Sequence, residues 1–381
     1  MITSKAPLQP AFSGGQTGPV RVLVVDDSAF MRYTITSHLS TCPGILVVGS
    51  ARNGVEALEQ IPRLKPDVVT LDVEMPQMDG LTTLRNLMVQ SPLPVIMLSS
   101  LTTEGAAETI QALSLGAVDF VAKPAQKANI RAVMDEVERK IFSAARARVW
   151  PAAHIQRIVA APADQPAKRV RARGSHTPIV LIGASTGGPR ALNSLVPALP
   201  ADLPAAVMIV QHMPAGFTRS LAERLNASSA LLVKEAEPGD GLEIGKVLLA
   251  PGGFHTTFDE RGQVALNQSP AVHGVRPAVD VTLASLVQRF NRAVIAVILT
   301  GMGNDGANGC ALLHAQGGRV IAEDESSCVV WGMPRSVVEA GAADSVLPLP
   351  EIAAAIVQMT RAGRAAGANS GADSDGISWN R

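Results

Sequence analysis

Beginning at Arg21, short apolar runs alternate with longer stretches in which apolar residues return every three or four positions. The runs Val22–Val25, Leu46–Gly49, Asp67–Leu71, Pro94–Leu98 and Val118–Ala122 have the length of buried strands, and segments such as Val55–Ile61 carry helical spacing between them. Five strands joined by helices predict a parallel sheet covered on both faces, an α/β unit. Ligands of such sheets gather outside the carboxyl ends of the strands. A second alternation opens at Pro178–Gly183 and continues through Val207–Val210, Val247–Ala250, Ala293–Leu299 and Arg319–Ala322, which predicts a second, doubly wound α/β domain.

Between the two blocks the pattern lapses. From Arg146 to Arg173 the chain is rich in Ala, Pro and Arg, with seven Lys or Arg against the single acid Asp164, and reads as an exposed linker. After about Ala362 the residues are mainly Gly, Ala, Ser and Asp, which predicts a disordered tail. The resulting division is a leader over 1–20, a first domain over 21–145, a linker over 146–176, a second domain over 177–362 and a tail over 363–381.

Composition narrows the function classes. A chain of 381 residues is long for one core, and 47% hydrophobic residues suffice for two. The 33 basic residues cancel the 33 acidic ones, so net charge offers no argument for nucleic acid or an anionic membrane surface. No apolar run approaches the ~20 residues that span a bilayer, and the start lacks the apolar core of a signal peptide. Cys42, Cys310 and Cys328 are odd in number, far apart and without a CxxC pair. They read as small buried side chains in a reducing, cytoplasmic protein, not as a disulfide framework or a zinc site.

Candidate chemistry lies at the strand ends. Asp26 and Asp27 follow the first strand and Asp72 the third, so three carboxylates converge at one sheet edge. Their mutual repulsion is relieved by a hard divalent cation such as Mg²⁺. Ser99 ends the fourth strand and Lys123 the fifth, a hydroxyl and an ammonium suited to holding a phosphoryl group. The alternative for each acid alone is a helix cap. In the second block Gly183-Ala-Ser185-Thr-Gly187 fits G-x-S-x-G after an apolar strand, the setting of an exposed nucleophile. The same glycines would also suit a phosphate or dinucleotide turn. His212 at the end of Ala206–Gln211 and Asp305 after the strand ending at Leu299 complete a nucleophile, base and orienter, with helix capping as the alternative for Asp305. The order Ser, His, Asp departs from that of α/β-hydrolases.

Two family resemblances rest on these residues. Val-Asp26-Asp27-Ser, Leu-Asp72-Val-Glu-Met-Pro, Asp79-Gly80, Ser99-Ser100 and Lys123-Pro124 resemble response-regulator receiver domains, of flavodoxin-like (βα)5 fold, over about residues 20 to 140. The resemblance implies that Asp72 accepts a phosphoryl group from a histidine kinase, that Asp26 and Asp27 hold Mg²⁺ with it, and that Ser99 and Lys123 sense the phosphate. Phe120 stands where receivers often carry a switch aromatic, or is a plain core residue. The segments around Ser185, His212 and Asp305, with Pro251-Gly-Gly-Phe-His255 and Arg276-Pro-Ala-Val-Asp280, resemble the methylesterase domain of the CheB family over about residues 176 to 348. That implies a Ser185–His212–Asp305 triad and an oxyanion site at the backbone N–H groups of Thr186 and Met302. The substrate would be glutamate γ-methyl esters, and also glutamines, of chemoreceptors, in a step that needs no metal. His255 and Asp280 either line the cleft or hold loops together. The competing expectations are a receptor glutamine deamidase, a phosphorylation-switched binding protein, a transcription regulator, for which no helix-turn-helix or basic reading face is present, and a nucleotide-binding module.

Overall fold

The computed structural model describes residues 18–100, 102–123, 130–149, 168–172, 177–290 and 293–370. In the N-terminal domain strands β1 (Val20–Val25), β2 (Ile45–Ala51), β3 (Val68–Asp72), β4 (Val95–Ser99) and β5 (Asp119–Ala122) alternate with helices α1 (Ala29–Ser40), α2 (Gly54–Leu64), α3 (Gly80–Gln90), α4 (Thr103–Leu115) and α5 (Ile130–Ala144). The strands pair in parallel in the order β2-β1-β3-β4-β5, the flavodoxin-like order. Strands β3 and β4 are buried along their whole length, so they read as unbroken apolar runs instead of alternating ones. Helices α1 to α4 begin on Ser28, Asn53, Asp79 and Thr102, whose side chains each accept a first-turn amide. Such caps stabilise by about 1 kcal/mol each. Capping is therefore done by residues other than Asp26, Asp27 and Asp72.

The C-terminal domain opens with the short β6 (Arg171–Ala172) and is built on β7 (Ile179–Ala184), α6 (Gly188–Leu195), β8 (Ala206–Gln211), α7 (Phe217–Ser228), β9 (Leu232–Glu235), β10 (Glu243–Ile244) and β11 (Lys246–Leu249). There follow β12 (His255–Phe258), β13 (Val264–Asn267), α8 (Val279–Phe290), β14 (Val294–Ile298), α9 (Ala307–Ala315), β15 (Arg319–Glu323), α10 (Met333–Glu339), β16 (Ser345–Leu347) and α11 (Leu349–Ser370). Seven parallel strands pair in the order β16-β15-β14-β7-β8-β11-β9, and β12 and β13 form an antiparallel hairpin outside the sheet. The five strands anticipated from sequence are the five inner ones. The edges β9 and β16 were not anticipated, because Leu-Val-Lys-Glu and Ser-Val-Leu are short and carry little apolar signal.

Two boundaries differ from expectation. The linker's ends stay exposed but are paired to the C-terminal domain: β6 pairs antiparallel with β10, and the Arg148 amide donates to the Val329 carbonyl at 3.1 Å. Its middle, 150–167, lies outside the described residues. Helix α11 continues to Ser370, inside the segment expected to be a disordered tail. The reason is that Ala, one of the residues behind that expectation, is the strongest helix former and recurs at 362, 365, 366 and 368. Residues 371–381 and the leader to residue 17 lie outside the described residues.

The two domains pack against each other. Helix α4 lies on α6 and α7. Phe120 on β5 stacks on Phe217 at the start of α7, with ring centroids 4.4 Å apart. One buried apolar cluster runs from Ile110, Leu113 and Phe120 into Phe217 and Leu221.

Candidate active site

Strands β7, β8 and β14 are neighbours, and their carboxyl ends carry the C-terminal candidates. Ser185 follows β7 on a turn closed by Gly187, whose φ of +78° suits a residue without a Cβ. The Ser185 amide donates to the Thr300 carbonyl at 3.1 Å, and its own carbonyl accepts from Gln211 Nε2 at 2.9 Å. The Ser185 Oγ makes no hydrogen bond among the described residues. His212 follows β8, and its Nε2 stands 2.8 Å from Asp305 Oδ2. Asp305 is 2% exposed and is more than a partner for the imidazole. Its carboxylate also accepts the amides of Val279 at 2.6 Å and Asp280 at 2.9 Å, at the start of α8. Burial alone raises a carboxyl pKa, but the His212 bond and charge and these amides outweigh it and hold Asp305 below the usual carboxylate range. Asp305 thus caps a distant helix and orients a histidine with the same two oxygens, which joins the functional and capping readings.

Thr186 and Met302, expected at the oxyanion, flank this centre. Thr186 follows Ser185, and Met302 lies in the Gly301–Gly303 turn held against it: a Cβ on Gly301 would stand 2.7 Å from the Ser185 Cβ. Neither amide is taken by another group among the described residues. His255 is different. Its Nε2 bonds the Pro270 carbonyl at 3.2 Å, so it ties the β12–β13 hairpin to the following loop. Asp280 likewise holds loops, accepting from the Gly309 amide at 2.7 Å and standing 2.9 Å from His273 Nε2.

Three positioning groups escaped the sequence reading. Thr300 locks the nucleophile turn, since its hydroxyl donates to the Thr186 carbonyl at 3.0 Å and accepts the Val330 amide at 2.9 Å. Glu323, buried at the end of β15, accepts the Thr300 amide at 2.7 Å, and burial raises its pKa. Gln211 holds the Ser185 carbonyl. The available signal was a polar residue ending an otherwise apolar strand, as in Arg319–Glu323 and Ala206–Gln211.

In the N-terminal domain Asp26, Asp27 and Asp72 bring carboxylate oxygens within 4.8 Å of one another. Lys123 Nζ reaches Asp72 Oδ2 at 2.6 Å and Asp26 Oδ2 at 2.9 Å. Burial and the charges of Asp26 and Asp27 push the Asp72 pKa up to about 6, against the pull of Lys123. Clustered hard oxygen donors of this kind fit Mg²⁺. Asp27, Asp72, Val73, Glu74, Ser100 and Lys123 line the pocket. Ser99 does not line it: its hydroxyl is buried and donates to the Gly105 carbonyl at 3.0 Å.

The domains also meet at the chemistry. Asp119 on β5 accepts a hydrogen bond from the hydroxyl of Thr186, the residue beside Ser185. The same carboxylate accepts from Lys140 Nζ at 2.9 Å and from the Phe120 amide at 2.8 Å. Phe120 is buried against Phe217 of the other domain, so whichever role it has is exercised at the domain interface.

Fold and site together define a phosphoacceptor-type receiver joined to an α/β catalytic domain. The family model "response regulator receiver domain" matches residues 22–135, and "CheB methylesterase" matches residues 180–356. A Symbiobacterium thermophilum protein is 53% identical over 353 residues, covering 89% of this chain and 97% of its own length. A Geobacillus kaustophilus protein is 50% identical over 346 residues, covering 89% and 98%, and a Pyrococcus abyssi protein is 45% identical over 353 residues, covering 90% and 95%. All three carry the name protein-glutamate methylesterase/protein-glutamine glutaminase. The chain belongs to that family.

Proposed function

We propose that this protein hydrolyses glutamate γ-methyl esters, and the corresponding glutamine amides, of chemoreceptors in chemotactic adaptation, under control of its receiver domain. The observation that carries the reading is the His212–Asp305 pair at the strand ends beside a glycine-turned Ser185. With His212 Nε2 given to Asp305, Nδ1 is the ring nitrogen left to take the Ser185 proton. The Ser185 Oγ attacks the γ-carbonyl carbon, and the Thr186 and Met302 amides face the charge that develops on its oxygen. The carbonyl re-forms as methanol, or ammonia from a glutamine, leaves with the proton from His212. Water, deprotonated by His212, then attacks the acyl-enzyme and frees a glutamate side chain and Ser185.

Asp72 is the phosphoacceptor in this reading, and a cytoplasmic histidine kinase is the donor. Asp26, Asp27 and Asp72 would hold Mg²⁺, which offsets phosphoryl charge when bound. Lys123 and Ser99 respond to the acyl phosphate, and Ser99 must leave the Gly105 carbonyl to do so. The receiver covers the catalytic face through Asp119–Thr186 and Phe120–Phe217, a contact that excludes a bulky helical substrate and that a shift of β5 loosens.

The test uses receptor carrying labelled methyl esters. Wild type releases methanol faster with Mg²⁺ and acetyl phosphate, and Ser185→Ala lowers turnover by about 10⁴ or more while still becoming phosphorylated. Release that survives Ser185→Ala would overturn the assignment. Glutamine-bearing receptor in parallel measures the amide reaction.

A further inference from the structure

Away from both sites, α1 and α5 bring together His38, Cys42 and Glu138, whose donor atoms lie within 4.8 Å of one another. His38 lies in the last turn of α1 and Cys42 two residues past its end, beyond the C-cap Thr41, while Glu138 stands on α5. The His38 Nε2 is buried without a hydrogen bond, although Glu138 Oε2 stands 3.4 Å away. That separation matches the edge of a tetrahedron whose metal–N and metal–O bonds are about 2.0–2.1 Å, which is about 3.3–3.4 Å. The Cys42 thiol donates to the His38 carbonyl at 3.3 Å and also faces the Glu138 carboxylate. A dication bound there would replace the thiol proton and offset the carboxylate charge of Glu138 beside it.

We infer that His38, Cys42 and Glu138 form a zinc-class metal site clamping the end of α1 to α5, with water at the fourth position. The donor set selects the metal. Thiolate and imidazole suit Zn²⁺ and its analogues, whereas Mg²⁺ and Ca²⁺ take oxygen ligands. The His38 and Glu138 side chains are 23% and 31% exposed, which leaves an entry path. Cysteine spacing along the chain had argued against zinc. Sites made of cysteine pairs show in such spacing; one with a single thiol, completed by the fold, does not.

The experiment titrates Co²⁺ into the full-length, chelator-stripped protein in excess Mg²⁺, so that oxygen sites are already filled. The expected result is a thiolate-to-cobalt charge-transfer band with tetrahedral visible bands, saturating at one Co²⁺ per chain and displaced by Zn²⁺. Cys42→Ser abolishes the charge-transfer band, and His38→Ala weakens binding at least tenfold. No such band in the wild type, or a band that persists in Cys42→Ser, overturns the site. If Cys42→Ser does not fold, the wild-type spectrum and the His38→Ala affinity decide the matter. Unchanged affinity in His38→Ala overturns it too.

Discussion

Asp305 shows how much one side chain carries in this protein. Its two oxygens receive an imidazole and two helix-start amides, so it is held ionised and immobile while it orients His212. Asp305→Asn keeps the shape but offers an amide group where two donors already point. It should lower kcat by about 10⁴, the scale of losing the orienting carboxylate of a triad, with little change in KM. The linkage has a definite sign. A carboxyl whose folded pKa is depressed contributes stability that is fully present above the unfolded value of about 3.9 and lost as pH falls through the lower folded value. The stability advantage of wild type over Asp305→Asn, followed by denaturant melts, should be full at neutral pH and shrink below about pH 4. An advantage constant to strong acid would mean that the charge is not what Asp305 contributes. The sequence singled out Ser185, His212 and Asp72 because each ends or directly follows a strand that the apolar pattern reveals, and Asp305 because it lies in the loop after another. Thr300, Glu323 and Gln211 were not, since their roles are backbone bonds made across strand neighbours far apart in sequence.

At the scale of elements, the site depends on turns that approach one another without room to spare. Gly301 separates the nucleophile turn from the Met302 turn, and a Cβ there would lie 2.7 Å from the Ser185 Cβ and 2.5 Å from the Met333 Sδ. Methionine can yield, but the Ser185 backbone is pinned by Thr300. Gly301→Ala should therefore fold and still lose about 10²-fold in kcat, as the oxyanion amide is displaced. Circular dichroism and methanol release measure the two halves of that expectation, and full activity would show that Met302 tolerates the shift. Element existence was readable in the same places that are buried: the inner strands are apolar throughout, while the edges β9 and β16 and the hairpin β12–β13 are short or polar. The linker's strand β6 pairs with the distant β10, a register that no local signal specifies.

At the scale of the whole molecule, the receiver and the catalytic domain share one apolar core and a polar latch. The Phe120–Phe217 stack is worth about 0.5–1.5 kcal/mol beyond area, and a hydrogen bond to a charged group about 1.5–3 kcal/mol. These are small enough for phosphorylation to reverse. Asp119→Asn removes the charge from the Thr186 bond while leaving an acceptor for Lys140. It should raise methanol release without phosphodonor by about tenfold and reduce the stimulation by acetyl phosphate in proportion, if the latch is worth about 1.4 kcal/mol. An unchanged basal rate with unchanged stimulation would place the block elsewhere in the interface.

From the sequence alone came two α/β domains, the strands that fill their centres, and the identity of the residues at the strand ends. That is information carried by periodicity and by the rule that parallel sheets work at their carboxyl edge. The tertiary structure alone decided that Asp305 caps α8, that Phe120 belongs to an interface, and that Asp119 reaches Thr186. It also decided that His38 and Cys42, in and just past the last turn of α1, face Glu138 on α5. The physical reason is common to all four. Each is a contact whose partners lie far away in sequence, and their meeting is set by how helices and sheets pack, not by any local preference of the chain.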